Sequence, residues 1–345
     1  MLFDASHLFS NAARRMRRSE IRELLKLTRK PDIISFAGGL PAPDLFPIEE
    51  FKEISVQVLA EKGATALQYG PTEGDPGLIE QLVAFEKRGG VEITPEQVLV
   101  TTASQQGLDL VAKVFINEGD PIVLELPSYI GGLQAFNCYG AEMHGVKHDD
   151  YGMRIDSLKA TLEKLANQDK TPQFIYVVPD FQNPSGVTMP KERRLQVLGL
   201  AKKFNTLVIE DTPYRELRFE GEHEPPFISL DDDERVVTLH TFSKILIPGF
   251  RTGWLITRNK QVMDKLVMAK QPADLCTNTF GQMILAEYMK RGLLEKQIEV
   301  IKDAYKKKRQ IILDAFDENM PKVDGLSWTK PDGGLFLWVR LPEYM

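Results

Sequence analysis

The sequence predicts an α/β protein: a large domain with a mostly parallel sheet flanked by helices, plus a smaller α+β domain. Three observations carry this reading. Between Val98 and Thr257, short β-branched runs alternate with amphipathic helical stretches, the pattern of repeated βα crossovers. Beyond residue 258 the character changes to long helical periodicities followed by two short strands. Residues capable of chemistry collect just past the strand ends, where open α/β sheets hold their ligands. At 345 residues the chain is long enough for a large domain and a smaller one.

Residues 11–28 read as a helix, and Ile33-Ile34-Ser35-Phe36 as a short extended segment. It ends at Ala37-Gly38-Gly39-Leu40-Pro41-Ala42-Pro43, where a glycine pair before prolines suits tight turning and close approach to a ligand. Helices are expected at 48–62 and 76–88, with Leu67-Gln68-Tyr69-Gly70-Pro71 as the loop between them. Strands then fall at Val98–Thr101, 122–125, 142–146, 174–178, 207–210, 236–240 and 253–257. The intervening helices are 105–117, 129–138, 155–167 and 190–204. Helices 259–271 and 278–290 follow. A long helix near 293–318 places Leu294, Ile298, Ile301, Tyr305, Ile312 and Phe316 on one face. Strands 326–329 and 334–340 should pair around Asp332-Gly333-Gly334.

Composition excludes several classes. Lys+Arg 43 against Asp+Glu 49 gives a net charge of −6, which argues against a nucleic-acid surface. No apolar run approaches membrane-spanning length. Cys138 and Cys276 have no CxxC or Cys/His spacing, and the five histidines form no HExxH pattern, so neither a disulfide framework nor a metal site is expected. Arg14, Arg15, Arg17 and Arg18 faintly resemble a transit peptide, but they run straight into an amphipathic helix. A cytoplasmic setting is the expectation.

The residues past the strand ends point to one cofactor. Val236–Leu239 leads into Thr241-Phe242-Ser243-Lys244, then a Pro248-Gly249 turn and Arg251. An amine at that position can condense with an aldehyde, and two hydroxyls with a guanidinium can hold a phosphate beside it. Together they suggest pyridoxal phosphate. The other strand ends are compatible. Ala103-Ser104-Gln105-Gln106-Gly107 opens a helix whose free N–H groups suit a phosphate. Tyr129 can stack on a planar ring. Asn183, in Gln182-Asn183-Pro184-Ser185-Gly186, can bond a phenolic oxygen. Asp211, in Asp211-Thr212-Pro213-Tyr214, can pair with a protonated pyridine nitrogen. Each motif alone is a common loop or cap; their occurrence in succession is the signal.

These stretches, with Ser35–Pro43 and Leu67-Gln68-Tyr69, resemble a fold-type I pyridoxal-phosphate aminotransferase of class I (the aspartate-aminotransferase-like fold) over residues 12–342. More narrowly, they resemble the 2-aminoadipate (LysN-like, kynurenine/aminoadipate) group. The resemblance implies that Lys244 carries the cofactor and shuttles a proton, and that Asp211 keeps the ring nitrogen protonated. It implies that Asn183 and Tyr214 bond the ring oxygen and that Tyr129 stacks on the ring as the third catalytic residue. Ser104, Gln105, Thr241, Ser243 and Arg251 would hold the phosphate. Tyr69 would reach the neighbouring subunit's phosphate, making a homodimer with shared sites. Thr241 stands where serine is usual, and Ala103 where glycine is. Arg22, Gly38, Gly39 and Asn183 are the substrate candidates, Arg22 for a distal carboxylate. Residues 1–45 would belong with the small domain as a substrate-covering segment, 46–290 would form the cofactor domain, and 291–345 the small domain.

The family holds the substrate α-carboxylate with an arginine late in the small domain. The sequence stops before it, at Leu341-Pro342-Glu343-Tyr344-Met345, and so reads as an incomplete small domain. Transfer of an amino group from 2-aminoadipate, glutamate, an aromatic or a branched-chain donor to a 2-oxo acid such as 2-oxoglutarate is the first expectation. β-Elimination or decarboxylation on the same scaffold, and a non-catalytic cofactor-binding module, are the alternatives. A regulator, which would carry a DNA-binding domain ahead of such a region, is disfavoured, because only a short helix precedes the family match.

Overall fold

The computed structural model describes residues 3–16, 33, 36 and 38–345. Strands β1 (Val98–Thr101), β2 (Pro121–Leu126), β3 (Glu142–Asp149), β4 (Gly152–Met153), β5 (Phe174–Val177), β6 (Leu207–Asp211), β7 (Val236–Thr241) and β8 (Gly253–Ile256) form one sheet, in the order β1-β8-β7-β6-β5-β2-β3-β4. The pairings β7–β6, β6–β5, β5–β2 and β2–β3 are parallel. β8 runs antiparallel to both its neighbours. β1, β5, β7 and β8 are buried at every position, because helices cover both faces of the sheet. β3, near the open edge, alternates half-buried and exposed residues over its first four positions, as an edge strand should.

Local chemistry sets the helix ends. Asp75 accepts from Leu78 N at the start of Pro76–Arg88, and Gly89 follows its last turn. Asn259 and Asn278 cap Lys260–Asp274 and Thr279–Lys290 in the same way. Helix Ile48–Ala66 outruns the expected end at 62; Lys62 leaves helical geometry at φ −134°, and the chain then resumes one more turn. Helix Ala103–Phe115 starts two residues before the expected 105. Of the helix expected over 11–28, the described part is Asn11–Arg15; the remainder lies outside the described residues.

The last hairpin differs from expectation. β9 (Ser327–Trp328) and β10 (Val339–Arg340) are only two residues each, and residues 331–336 leave the pair. They lie instead against the large sheet's loops: Gly333 bridges Arg218, and Gly334 N donates to Leu217 O at 2.9 Å. A Cβ at Gly333 would sit 2.3 Å from Leu217 O, so only glycine permits this approach. The helix Leu293–Asn319 buries Leu294, Ile298, Ile301 and Tyr305. Farther along it buries Leu313, while Ile312 and Phe316 are half-buried. Its Gln297 donates to Leu45 O (2.6 Å), and its Tyr305 hydroxyl accepts from Ala42 N (3.0 Å).

Candidate active site

The ends of β1, β5, β6 and β7 and the loops after them converge on one cavity of about 440 Å³. Its walls include Ser104, Gln105, Tyr129, Asn183, Asp211, Tyr214, Thr241, Ser243, Lys244 and Arg251, with Leu40 and Pro41 closing one side. That volume suits a small ligand held by a few convergent polar groups.

Lys244 reaches across this cavity, and its Nζ donates to Gly39 O at 2.9 Å. Burial, and then the nearby Arg251 charge, pull its pKa down to about 8, so a useful fraction is the nucleophilic amine near neutrality. Gly39 sits at φ +51°, and a Cβ there would meet the Phe336 ring at 2.7 Å. The glycine pair therefore lets the 38–41 segment slide between Lys244 and Phe336.

Asp211 ends β6 and is 2% exposed. Its Oδ2 accepts from the Tyr176 hydroxyl at 2.9 Å, while its Oδ1 is buried with no partner. Burial raises its pKa to about 7, and the Tyr176 hydrogen bond opposes the rise. An orphaned carboxylate oxygen in a cavity wall calls for a cationic donor, which a pyridinium N–H supplies. Asn183 Nδ2 donates to the Tyr214 hydroxyl at 3.3 Å, bringing an amide and a phenol together at the next wall. Burial holds the Tyr214 phenol well above its usual pKa, so it remains an O–H donor.

A cluster of hydroxyls and a guanidinium follows the end of β7. Thr241 Oγ1 donates to Ser243 Oγ at 2.9 Å and accepts its N–H at 3.1 Å. Arg251 Nη1 donates to Ser243 Oγ at 3.3 Å. Ala103 and Arg251 both hold left-handed backbone, at φ 58° and 51°. Non-glycine residues pay about 1–2 kcal/mol for that conformation, and such strain clusters at ligand sites. Ala103 therefore keeps the backbone shape that glycine would give, at a cost.

Two candidates lie elsewhere. Tyr69 is 78% exposed and is not part of this cavity wall. Arg22 falls outside the described residues. Sequence reasoning missed Tyr176, a lone hydroxyl in an apolar strand whose need for a partner was a usable signal. It also missed Phe336, whose ring meets Tyr214 edge-on at 5.5 Å, and Arg194, discussed below.

An amine at a strand end, a buried acid with one free oxygen and a strained cradle of hydroxyls and guanidinium are the furniture of a fold-type I pyridoxal-phosphate enzyme. The family model for aminotransferase class I and II matches residues 31–345, and the chain belongs to that family. It is 47% identical to aromatic-amino-acid aminotransferase 1 of Thermococcus litoralis over 341 residues, 99% of this chain and 81% of the relative. It is 42% identical to the 2-aminoadipate transaminase of Thermus thermophilus, over 98% of this chain and 82% of the relative. Among solved structures, Pyrococcus horikoshii kynurenine aminotransferase, in complex with PMP, superposes with TM-score 0.94 at 45% identity, covering 99% and 84% of the two chains. LysN of Thermus thermophilus, complexed with N-(5'-phosphopyridoxyl)-L-leucine, gives 0.89 at 40%, covering 99% and 84%. The chain is a pyridoxal 5'-phosphate-dependent transaminase acting on amino acids and 2-oxo acids. Among the described residues, no helix is long and apolar enough to cross a membrane.

Proposed function

We propose that this transaminase moves the amino group of 2-aminoadipate, glutamate, an aromatic or a branched-chain amino acid to 2-oxoglutarate, working as a cytoplasmic homodimer. The observation that carries the reading of the site is that Lys244 and Asp211, whose Oδ1 is free, line one cavity. Bound there, pyridoxal phosphate supplies an electron sink for the pair left on the substrate α-carbon. Lys244 would take that carbon's proton and return it at the other end of the transfer. Asp211 would hold the ring nitrogen's proton, and Asn183 with Tyr214 would bond the ring oxygen. Tyr129 would cover the ring face. Ser104, Gln105, Thr241, Ser243 and Arg251 would fix the phosphate, which positions the ring relative to Lys244.

The range of donors is supported by the names of the relatives, which include aromatic, 2-aminoadipate and kynurenine aminotransferases. Apolar Leu40 and Pro41 at the wall suit an apolar side chain, and Arg22 is assigned the distal carboxylate of an acidic one. We assign residues 46–290 to the cofactor domain. The ties from Ala42 and Leu45 to the long helix support grouping 1–45 with 291–345. Glutamate formation from 2-oxoglutarate, measured with each donor in turn, tests the proposal. Turnover of 2-aminoadipate and phenylalanine is expected. Arg22→Ala should cost the acidic donors about tenfold in kcat/KM, the loss of one charge-assisted bond, and spare phenylalanine. Equal losses for both would remove Arg22 from the site, and no glutamate with any donor would overturn the substrate class.

A further inference from the structure

A side chain from the helix Lys260–Asp274 grips both ends of the turn that opens the helix Ala103–Phe115. Asp274 Oδ2 accepts from Thr102 Oγ1 at 3.0 Å and from Gln106 Nε2 at 2.7 Å. Gln106 Oε1 in turn accepts from Thr102 N at 2.7 Å. Between these two residues stand Ala103, Ser104 and Gln105, and all three line the cavity. Asp274 Oδ1 accepts from Lys270 Nζ at 2.7 Å, and Lys270 is 0% exposed. A buried ammonium is costly without its partner, so the pair fixes where the carboxylate stands.

The gripped turn has two unusual features. Ala103 is left-handed at φ 58°, a conformation that a non-glycine residue keeps only where its surroundings impose it. Thr101 Oγ1 holds it from the strand side, donating to Ala103 O at 3.0 Å. On the helix side, Thr102 and Gln106 are held to Asp274. The second feature is the helix start. A threonine ahead of a helix ordinarily turns its oxygen to a first-turn N–H. Thr102 makes no such bond and gives its hydroxyl to Asp274, whereas Asp75, Asn259 and Asn278 cap their helices. The N-cap side chain thus leaves the first-turn N–H groups to an anion.

We propose that Asp274 is a positioning residue for the phosphate side of the cofactor. Anchored by Lys270, it clamps Thr102 and Gln106, so that Ala103 keeps the turn that presents Ser104 and Gln105. Neither Asp274 nor Lys270 lines the cavity, so both act through the turn. Glycine would take this turn by its own freedom; with alanine there, the clamp holds it.

The inference rests on assigning Ser104 and Gln105 to the phosphate. The test titrates pyridoxal 5'-phosphate, and pyridoxal, which lacks the phosphate, into cofactor-free protein and compares the two affinities. Lys270→Met with Asp274→Ala removes the clamp without stranding the ammonium. Its preference for the phosphorylated form should fall about tenfold, the loss of a charge-assisted bond, with pyridoxal affinity within about twofold of wild type. Lys270→Met with Asp274→Asn lacks the same ion pair but keeps an oxygen for Thr102 and Gln106, and should stay within about threefold of wild type. Adding Ala103→Gly to the alanine variant should recover about threefold of the lost preference, because glycine adopts the left-handed turn freely. A merely structural role would weaken both ligands alike and would not be reversed by glycine. If the alanine variant fails to fold, Gln106→Met releases one side of the clamp and keeps the ion pair. It should lower the preference about threefold, and Ala103→Gly should restore it. A wild type with no preference for the phosphorylated form would overturn the phosphate assignment and the proposal with it. A wild-type preference that survives loss of the clamp, equal weakening of both ligands, or no recovery with Ala103→Gly would overturn the proposal alone.

Discussion

Lys244 stood out in the sequence as a candidate through the succession of polar strand ends, not through its own motif, and the fold brings those ends to one cavity. Its energetic cost was not legible, since burial depends on the 38–41 segment arriving from over two hundred residues away. That cost is testable. The folded pKa of about 8 lies below the 10.5 of a free lysine, so folding favours the neutral amine. Its stability contribution is complete above the unfolded pKa and is lost as pH falls through the folded one. Cofactor-free Lys244→Met should therefore melt a few degrees above cofactor-free wild type at pH 7, with the gap closing as pH approaches 10. Melting curves of the two proteins across that range would show it; a gap independent of pH would mean that the lysine is not desolvated. Asp211 was equally legible, whereas its partner Tyr176 was not, because a tyrosine in an apolar strand reads first as core.

At the scale of elements, periodicity located every strand of the large sheet except the two-residue β4. It could not show that β8 runs antiparallel, since strand direction is a property of the pairing rather than of the apolar pattern. Nor could it show how the loop carrying Asn183 is fastened. Arg194 is fully buried, and its Nε donates to Met189 O (2.8 Å) while its Nη2 donates to Asp180 Oδ1 (2.7 Å). Glu210 lies 3.9 Å from the same guanidinium. One side chain thus pins both ends of the 179–189 loop to the helix Lys191–Lys203. From sequence, Arg194 sits among charged neighbours and resembles a solvated helix face. Arg194→Met strands two buried acids and should cost about 3–5 kcal/mol in urea unfolding. Adding Asp180→Asn to it should recover part of that loss, because one stranded charge is gone. A loss below about 1 kcal/mol for the single variant would mean that water already reaches the pair.

On the scale of the whole molecule, the change of periodicity near residue 258 suggests a second part, but it does not announce the way residues 331–336 press onto Leu217 and Arg218. That depends on the bare backbone of Gly333 beside Leu217, which a turn motif does not announce. The exposure of Leu67 and Tyr69, 72% and 78%, is what a surface awaiting a second copy would show. If Tyr69 serves the neighbour's site, mixing Lys244→Ala with Tyr69→Phe should recover about a quarter of wild-type turnover, since half the dimers then hold one intact site. No recovery, with subunit exchange demonstrated by mass labelling, would mean self-contained sites. The central claim is that the chemistry turns on Lys244, and its most direct measurement is borohydride reduction of the cofactor-loaded protein followed by peptide mass spectrometry. One phosphopyridoxyl adduct per chain, on the peptide containing Lys244, is the predicted result. An adduct on any other lysine would contradict the account.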